Sequence, residues 1–232
     1  MLTFKVLKKR FKTAFIEILR RQQNLEIYEA AVPAYAHKNP FIDLIFWKRL
    51  QACYNLMNND LNVKVLDFGC GTGVMSYFLA HNGFDVTATD LSLEPQKLIE
   101  NEIKFPKGIK FIEGDILRDP IRKNFEKESF DYILALDSLE HIEDITEYIL
   151  FFKLLLKPDG KIIVSGPTEN IYYKIGRKLA GKKFNGEYHV SDIRKIYKHF
   201  SFQFKVKIKR RLFYPVVLFE IFTAENDISP AN

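Results

Sequence analysis

The chain has 232 residues, a net charge of +6, two cysteines and a hydrophobic fraction of 47%. This length allows one α/β domain with a small extension, and the apolar content indicates a packed core and excludes a disordered chain. Two cysteines cannot form a disulfide framework, and no apolar run approaches the ~20 residues of a membrane-spanning helix. The amino terminus has no signal-peptide pattern, so we expect a cytoplasmic protein.

The positive charge is concentrated at the amino terminus. Residues 1–21 contain seven Lys or Arg and one Glu, whereas the acidic and basic residues of the remaining chain balance. Apolar residues recur at every third or fourth position of this stretch: Phe4, Leu7, Phe11, Phe15 and Ile18. This spacing predicts a basic amphipathic helix over 2–21, within a helical extension of residues 1–60. We interpret the helix either as a solvated arm or as a surface for an anionic partner, which is lipid at the inner face of the membrane or nucleic acid.

The rest of the chain, residues 61–232, alternates short apolar strands with helices. Strands are predicted at 63–68, 84–89, 109–112, 132–136 and 161–165, followed by β-rich segments near 201–208 and 213–223. Helices are predicted at 41–57, 73–82, 93–104, 144–156, 169–180 and 191–199, with a turn at 157–160 and a loop at 181–188. This alternation predicts a Rossmann-like α/β fold in which helices cover both faces of a mostly parallel sheet.

A glycine-rich turn follows the first of these strands. Its glycines, in the sequence Asp67-Phe68-Gly69-Cys70-Gly71-Thr72-Gly73, have the spacing G-x-G-x-G. A dinucleotide-binding turn has G-x-G-x-x-G, but position 74 here is Val. Asp67 would repel a pyrophosphate, and it suits a ligand that carries an ammonium group. Asp90 ends the next strand, where an acidic residue holds a ribose diol.

Residues 63–166 resemble the class I S-adenosylmethionine-dependent methyltransferases, in the group that acts on small molecules and lipids. The segments that carry the resemblance are 67–73, Asp90, Phe111–Ile116, Phe130–Asp137 and Leu156–Lys161. The resemblance implies a seven-stranded sheet in the order 3-2-1-4-5-7-6 and S-adenosylmethionine as cofactor, released as S-adenosylhomocysteine. It also implies a set of cofactor contacts: Asp67, Gly69, Cys70, Gly71, Gly73, Asp90, Leu91, Asp115, Ile116, Leu136 and Asp137.

Candidate catalytic residues follow the fourth strand. Asp137, Glu140 and His141 have helical spacing, which predicts that they share one face if this loop is helical. His189 lies in a segment, 168–190, that we interpret as a lid over the site. We predict that Glu140, His141 and His189 serve catalysis, with His141 as the general base for the acceptor.

A divalent-metal site is the alternative interpretation of these residues. The pattern resembles the one with which ubiquinone-pathway O-methyltransferases and small-RNA 2′-O-methyltransferases hold a metal that activates a hydroxyl. Asp137 departs from that pattern, because those groups have Glu there. We favour the interpretation without a metal.

Three functions remain compatible with these residues. The favoured one is O-methylation of a small-molecule or lipid-like acceptor, because the basic helix and the basic lid suit a membrane surface. The second is RNA modification, which is disfavoured because no RNA-binding module is recognisable. The third is a non-catalytic S-adenosylmethionine-binding module. A nicotinamide-dependent oxidoreductase is disfavoured by Asp67 and Val74.

Overall fold

A computed structural model describes residues 1–21, 40–58, 62–173 and 190–227 of the protein. Its centre is a seven-stranded sheet in the order β3-β2-β1-β4-β5-β7-β6. The strands are β1 Lys64–Phe68, β2 Asp85–Asp90, β3 Ile109–Glu113, β4 Phe130–Leu136, β5 Leu156–Pro167, β6 Lys205–Leu212 and β7 Phe219–Glu225. The helices are α1 Phe4–Arg21, α2 Pro40–Tyr54, α3 Val74–His81, α4 Glu94–Glu102, α5 Thr146–Leu155 and α6 Ile193–Ser201. Two 3₁₀ helices cover Ile121–Asn124 and Leu139–His141.

The predicted strand order and Rossmann-like fold are confirmed. β1 pairs in parallel with β2 on one side and with β4 on the other, while β7 is antiparallel to both of its neighbours. The chain order therefore reverses between β1 and β4, and a crevice opens at the carboxyl ends of the strands at such a point. The glycine-rich turn leaves β1 at this edge.

The helices form two layers around the sheet. One core packs side chains of α1, α2, α3 and α4 against one face, and the other packs α5 and α6 against the opposite face. Both faces of the central strands are covered, so their side chains form continuous apolar runs. None of the helices in the described part of the chain has the length and apolar character needed to cross a bilayer.

Element boundaries differ from the prediction mainly in the last third of the chain. The predicted turn at 157–160 lies inside β5, where the pairing with β4 shifts register between Phe130 and Tyr132. The last two strands start later than predicted, at Lys205 and Phe219. Pro215 explains the second delay, because it lacks the N–H group that a strand ladder needs. Most of the predicted lid, residues 174–189, lies outside the described residues.

The expectation that residues 2–21 form a basic arm apart from the domain is wrong. Leu7, Phe11 and Phe15 on α1 are fully buried, in the same core as the β1 and α3 side chains. Ion pairs also dock the helix, since Lys8 and Lys12 lie 2.6 and 3.1 Å from the buried carboxylate of Asp43. The phenylalanine stripe therefore packs on the protein, and the exposed face of α1 is mostly polar, with Val6 and Ile16 exposed among the charged side chains.

This packing predicts a large cost for truncating the stripe. We expect Phe11→Ala to lower the free energy of unfolding by about 3–5 kcal/mol, the range for removing a large core side chain. Lys9→Ala is the matched control, because Lys9 is exposed on the same helix and such surface changes cost at most about 0.5 kcal/mol. Equal urea denaturation curves for the two variants would contradict the docking of α1.

Candidate active site

The glycine-rich turn joins β1 to α3 through three residues with positive φ. Gly69, Gly71 and Gly73 have φ of 70°, 53° and 72°, a conformation that side chains disfavour. A Cβ atom at Gly69 would lie 2.4 Å from the Cβ of Ser138, whereas one at Gly71 would meet nothing within 4 Å. The turn is thus packed against the end of β4 at Gly69 and open at Gly71, where a ligand can approach the main chain.

Asp67 lies beneath this turn as a buried carboxylate. Its side chain is 3% exposed and accepts a hydrogen bond from the Ser76 hydroxyl on α3. Burial raises the pKa of Asp67 to about 6, and the neighbouring charge of Asp90 adds to the shift. A cationic group brought next to Asp67 would offset this desolvation.

Asp90 ends β2 directly beside the open part of the turn. One of its carboxylate oxygens accepts a hydrogen bond from the Gly71 amide at 2.7 Å. The other lies 3.4 Å from the Ser92 amide. These contacts orient the carboxylate at the position predicted for a diol-binding acid, and the neighbouring Leu91 is exposed.

Asp115 follows β3 and is held by the first turn of α5. It accepts hydrogen bonds from the Leu117 amide at 2.9 Å and the Tyr148 hydroxyl at 3.1 Å. Burial, and then the neighbouring Asp115 carboxylate, raise the pKa of Tyr148 to about 12, so the phenol remains a donor. Ile116 is buried in the core next to this group. The contact of Asp115 with an adenine amine stays a prediction.

An ion pair with a buried Arg lies just after β4, the fourth strand whose carboxyl end borders the site. Asp137, just after β4, has a φ of 56° and accepts a hydrogen bond from the Ser165 hydroxyl at 3.0 Å. Its carboxylate is paired with Arg49 of α2, which is 2% exposed and lies 5.2 and 5.5 Å from the centres of the Phe46 and Phe219 rings. The site therefore contains a fixed cation as well as carboxylates.

Sequence reasoning missed Arg49. The α2 segment was interpreted from its helical pattern alone, as part of an extension outside the catalytic domain. The signal that could have indicated a buried Arg49 was its position on one helix with the apolar residues Leu50 and Cys53, which are buried in the structure. A guanidinium in such a position needs an acidic partner, because an unpaired buried charge is costly.

Comparison with known proteins identifies the family to which the chain belongs. Residues 10–212 match the family model of the methyltransferase domain. The chain belongs to this family. By family and fold, the protein is a class I S-adenosylmethionine-dependent methyltransferase.

Curated relatives cover only part of this methyltransferase. A ubiquinone biosynthesis O-methyltransferase from Rickettsia conorii is 33% identical over 119 residues, which is 50% of this chain and 39% of the relative. One of the same name from Haemophilus ducreyi is 37% identical over 107 residues, 44% of either chain. The match therefore spans less than half the length of these relatives.

Solved structures share the fold of the methyltransferase at low sequence identity. A Pyrococcus horikoshii protein superposes with a TM-score of 0.66 and 18% identity, covering 88% of this chain and 100% of its own. Phosphoethanolamine N-methyltransferase 2 from Haemonchus contortus, solved with S-adenosylmethionine, has a TM-score of 0.60 and 17% identity, covering 91% and 60%. Both comparisons support the fold.

The predicted catalytic residues of the methyltransferase are only partly brought together. Glu140 and His141 lie in the 3₁₀ helix after β4, but Glu140 is buried and His141 is exposed, and the helix on which a face shared with Asp137 depended does not extend to Asp137. The reason is the backbone: Asp137 has positive φ and Ser138 is non-helical, so helical spacing starts only at Leu139. The amides of Val190 and Ser191 donate to the Glu140 carbonyl, which ties the lid's end to this segment.

The remaining site predictions are untested. His189 lies outside the described residues. Within residues 1–21, 40–58, 62–173 and 190–227, no three His, Cys, Asp or Glu side chains come together as a metal site. Cys70 lies in the turn and Leu136 lies at the end of β4, both at the edge of the sheet where their cofactor contacts are predicted. The metal and cofactor contacts thus stay predictions.

Proposed function

We propose that this methyltransferase transfers a methyl group from S-adenosylmethionine to a hydroxyl oxygen of a small, lipid-like acceptor. The observation that carries the cofactor part of the proposal is the set of charged groups around the open turn at Gly71, and the acceptor class follows from the names of the curated relatives. Carboxylates lie at the carboxyl ends of three adjacent strands, at Asp67, Asp90 and Asp115, and Arg49 supplies a buried cation beside Asp137. Such a set suits a zwitterionic nucleoside better than a dinucleotide.

The parts of this ligand fit the groups that are present. Asp67 can accept from the ammonium group of the methionine moiety, and Arg49 can bind its carboxylate while remaining beside Asp137. Asp90 can accept from the ribose hydroxyls and Asp115 from the adenine amine. Bound there, S-adenosylmethionine supplies an activated methyl group on its sulfonium. The absence of a side chain at Gly71 leaves room for it over the turn.

A residue of the chain itself would remove the proton of the acceptor. His141 is exposed just beyond β4, at the crevice edge, where it can take the proton of an acceptor hydroxyl as the oxygen bonds to the methyl carbon. Names of the curated relatives suggest the acceptor class, a phenolic hydroxyl on a quinone precursor. Such an acceptor is lipid-like, so we place the enzyme in the cytoplasm at a membrane surface, and nucleic acid is not proposed as its acceptor.

Cofactor binding can be tested at Asp90. We expect Asp90→Ala to weaken S-adenosylmethionine binding by about 1.5–3 kcal/mol in calorimetry, because hydrogen bonds to a charged group are lost. Asp85→Ala is the matched control: it removes an exposed carboxylate at the opposite end of the same strand. Unchanged affinity in Asp90→Ala would contradict the assignment of Asp90.

The acceptor is tested by transfer of a labelled methyl group. The full chain is incubated with methyl-labelled S-adenosylmethionine and catechol-type quinone precursors, and the label is counted in the organic extract. We expect label on a phenolic oxygen of the extracted product. Label that enters only RNA, or no acceptor while the cofactor binds normally, would overturn the proposed acceptor class.

A further inference from the structure

The largest unbalanced charge of the chain lies far from its amino terminus. Residues 193–212 contain eight Lys or Arg and no Asp or Glu. They form α6 and the edge strand β6. Within the described part of the chain, Arg211 alone of these eight makes an ion pair, with Glu220 at 3.1 Å. This segment therefore presents a strongly positive surface.

Large apolar side chains are exposed next to this charge. On the outward face of α5, Leu150 and Leu154 are 47% and 40% exposed, and Phe202 at the end of α6 is 71% exposed. Lys153 joins α5 to the residues that follow α6, since its ammonium lies 3.4 Å from the Gln203 amide oxygen and 5.9 Å from the centre of the Phe204 ring. The apolar and basic side chains thus belong to one surface.

We call this surface the α5–α6 patch and define it by six exposed side chains: Leu150, Lys153, Leu154, Lys195, Lys198 and Phe202. Spacing places them on outward faces, because Leu150 and Leu154 are one turn apart on α5, while Lys195, Lys198 and Phe202 follow at intervals of three and four along α6. The inward face of α6 is filled by Ile193, Ile196 and Phe200, all buried in the core. Core packing therefore does not account for the outward Phe and Leu side chains.

We propose that the α5–α6 patch docks the protein onto an anionic lipid bilayer. Exposed Leu and Phe side chains can enter the interfacial region of a bilayer, and lysines around them attract its anionic head groups. An apolar patch of this kind on a protein surface marks an interaction site. The apolar side chains and the lysines of α6 together match an anionic membrane, while the carboxylates nearest to them are at the start of α5, Glu147 one turn before Leu150 and Asp144 in electrostatic contact with His199.

Charge argues against a dimer through this surface, and the apolar side chains argue against a nucleic acid. A symmetric dimer through the patch would place the same lysines against each other, because a two-fold interface is self-complementary. A nucleic acid would match the charge but would leave Leu150 and Leu154 against a phosphate backbone. The bilayer is the partner that satisfies both features.

This surface differs from the amino-terminal helix that the charge distribution first suggested. The apolar face of α1 is buried, and four of its seven cations lie in ion pairs: Lys8, Lys12, Arg20 and Arg21. The lysines of the α5–α6 patch have no acidic partner among the described residues. Membrane attraction is therefore expected from α6 more than from α1.

A single fluorescent reporter tests the docking directly. Trp47 is the sole tryptophan and is 4% exposed, so Phe202→Trp adds one exposed indole to a buried background. We expect its emission to shift to the blue when the full chain meets vesicles of phosphatidylglycerol, and to stay unchanged with phosphatidylcholine alone. A shift caused by raising the protein concentration without lipid, or by single-stranded RNA and not by vesicles, would overturn the proposal.

Charge variants test the same proposal without touching the apolar residues. We expect Lys195→Gln/Lys198→Gln to lower partitioning into phosphatidylglycerol vesicles about 30-fold in co-sedimentation, since each lysine near an anionic surface contributes about fivefold. Lys5→Gln/Lys9→Gln on α1 is the matched control and should change partitioning much less. If the control lowers it as much as the α6 variant does, the patch is not the docking surface. Thermal melting checks that both variants fold.

Discussion

We expect Asp67→Asn to bind S-adenosylmethionine about 10- to 100-fold more weakly at pH 8 and yet to be more stable without ligand than the parent protein. Affinity falls because the variant lacks the charge that faces the ligand's ammonium group. Stability rises because an ionised carboxylate that is 3% exposed no longer has to be buried. The Ser76 hydroxyl, which donates to Asp67, can rotate to accept from the new amide.

The pH dependence of the parent protein follows from the same group. The pKa of Asp67 is about 6 in the fold, against 3.8 for an unburied carboxyl, so the folded chain binds this proton more tightly than the unfolded chain. Its contribution to stability is complete below about pH 4 and is lost as the pH rises through 6. From this shift we expect Asp67→Asn to gain about 2–3 kcal/mol at pH 8 and nothing at pH 4.

Denaturation at the two pH values, combined with calorimetry, checks both parts of this expectation. Asp85→Asn removes the same charge at an exposed position of β2 and should change neither stability nor affinity appreciably. Asp67→Asn that binds S-adenosylmethionine as tightly as the parent at pH 8 would contradict the role assigned to Asp67. A variant less stable than the parent at pH 8 would contradict the cost assigned to its burial.

The cofactor half of the site was predictable from sequence because its geometry follows from local rules. The glycines of the turn are required by positive φ at Gly69, Gly71 and Gly73, and that requirement is visible as spacing. Asp67 and Asp90 end adjacent parallel strands, whose carboxyl ends must meet at one edge. The alternation of strands and helices predicted the Rossmann-like fold, and the resemblance to class I methyltransferases implied the observed sheet order.

What could not be predicted depends on packing between distant segments. The periodicity of α1 showed an apolar face but not what covers it, and the structure places that face in the domain core. Arg49 enters the site only because α2 packs against β5, a contact that has no local signature. The positive surface of residues 193–212 was hidden by a charge sum over residues 22–232, in which acidic residues outside the segment cancel it.

The acceptor half of the site rests on a prediction about His141. We expect His141→Ala to lower turnover about 10²- to 10⁴-fold, the range for loss of a general base. S-adenosylmethionine affinity should be nearly unchanged, because the imidazole is exposed beyond β4 while the cofactor groups surround the glycine turn. His199→Ala is the matched control, since it removes an exposed imidazole from α6.

Two results would separate this role from the alternatives. If His141 only stabilises the segment after β4, His141→Ala should weaken cofactor binding and turnover together, because Ser138 packs directly against Gly69 of the turn. If His141 holds a divalent metal, chelation should inhibit the parent protein and His189→Ala should reproduce that inhibition. We expect activity to survive both chelation and His189→Ala, which would leave His141 acting as a base without a metal.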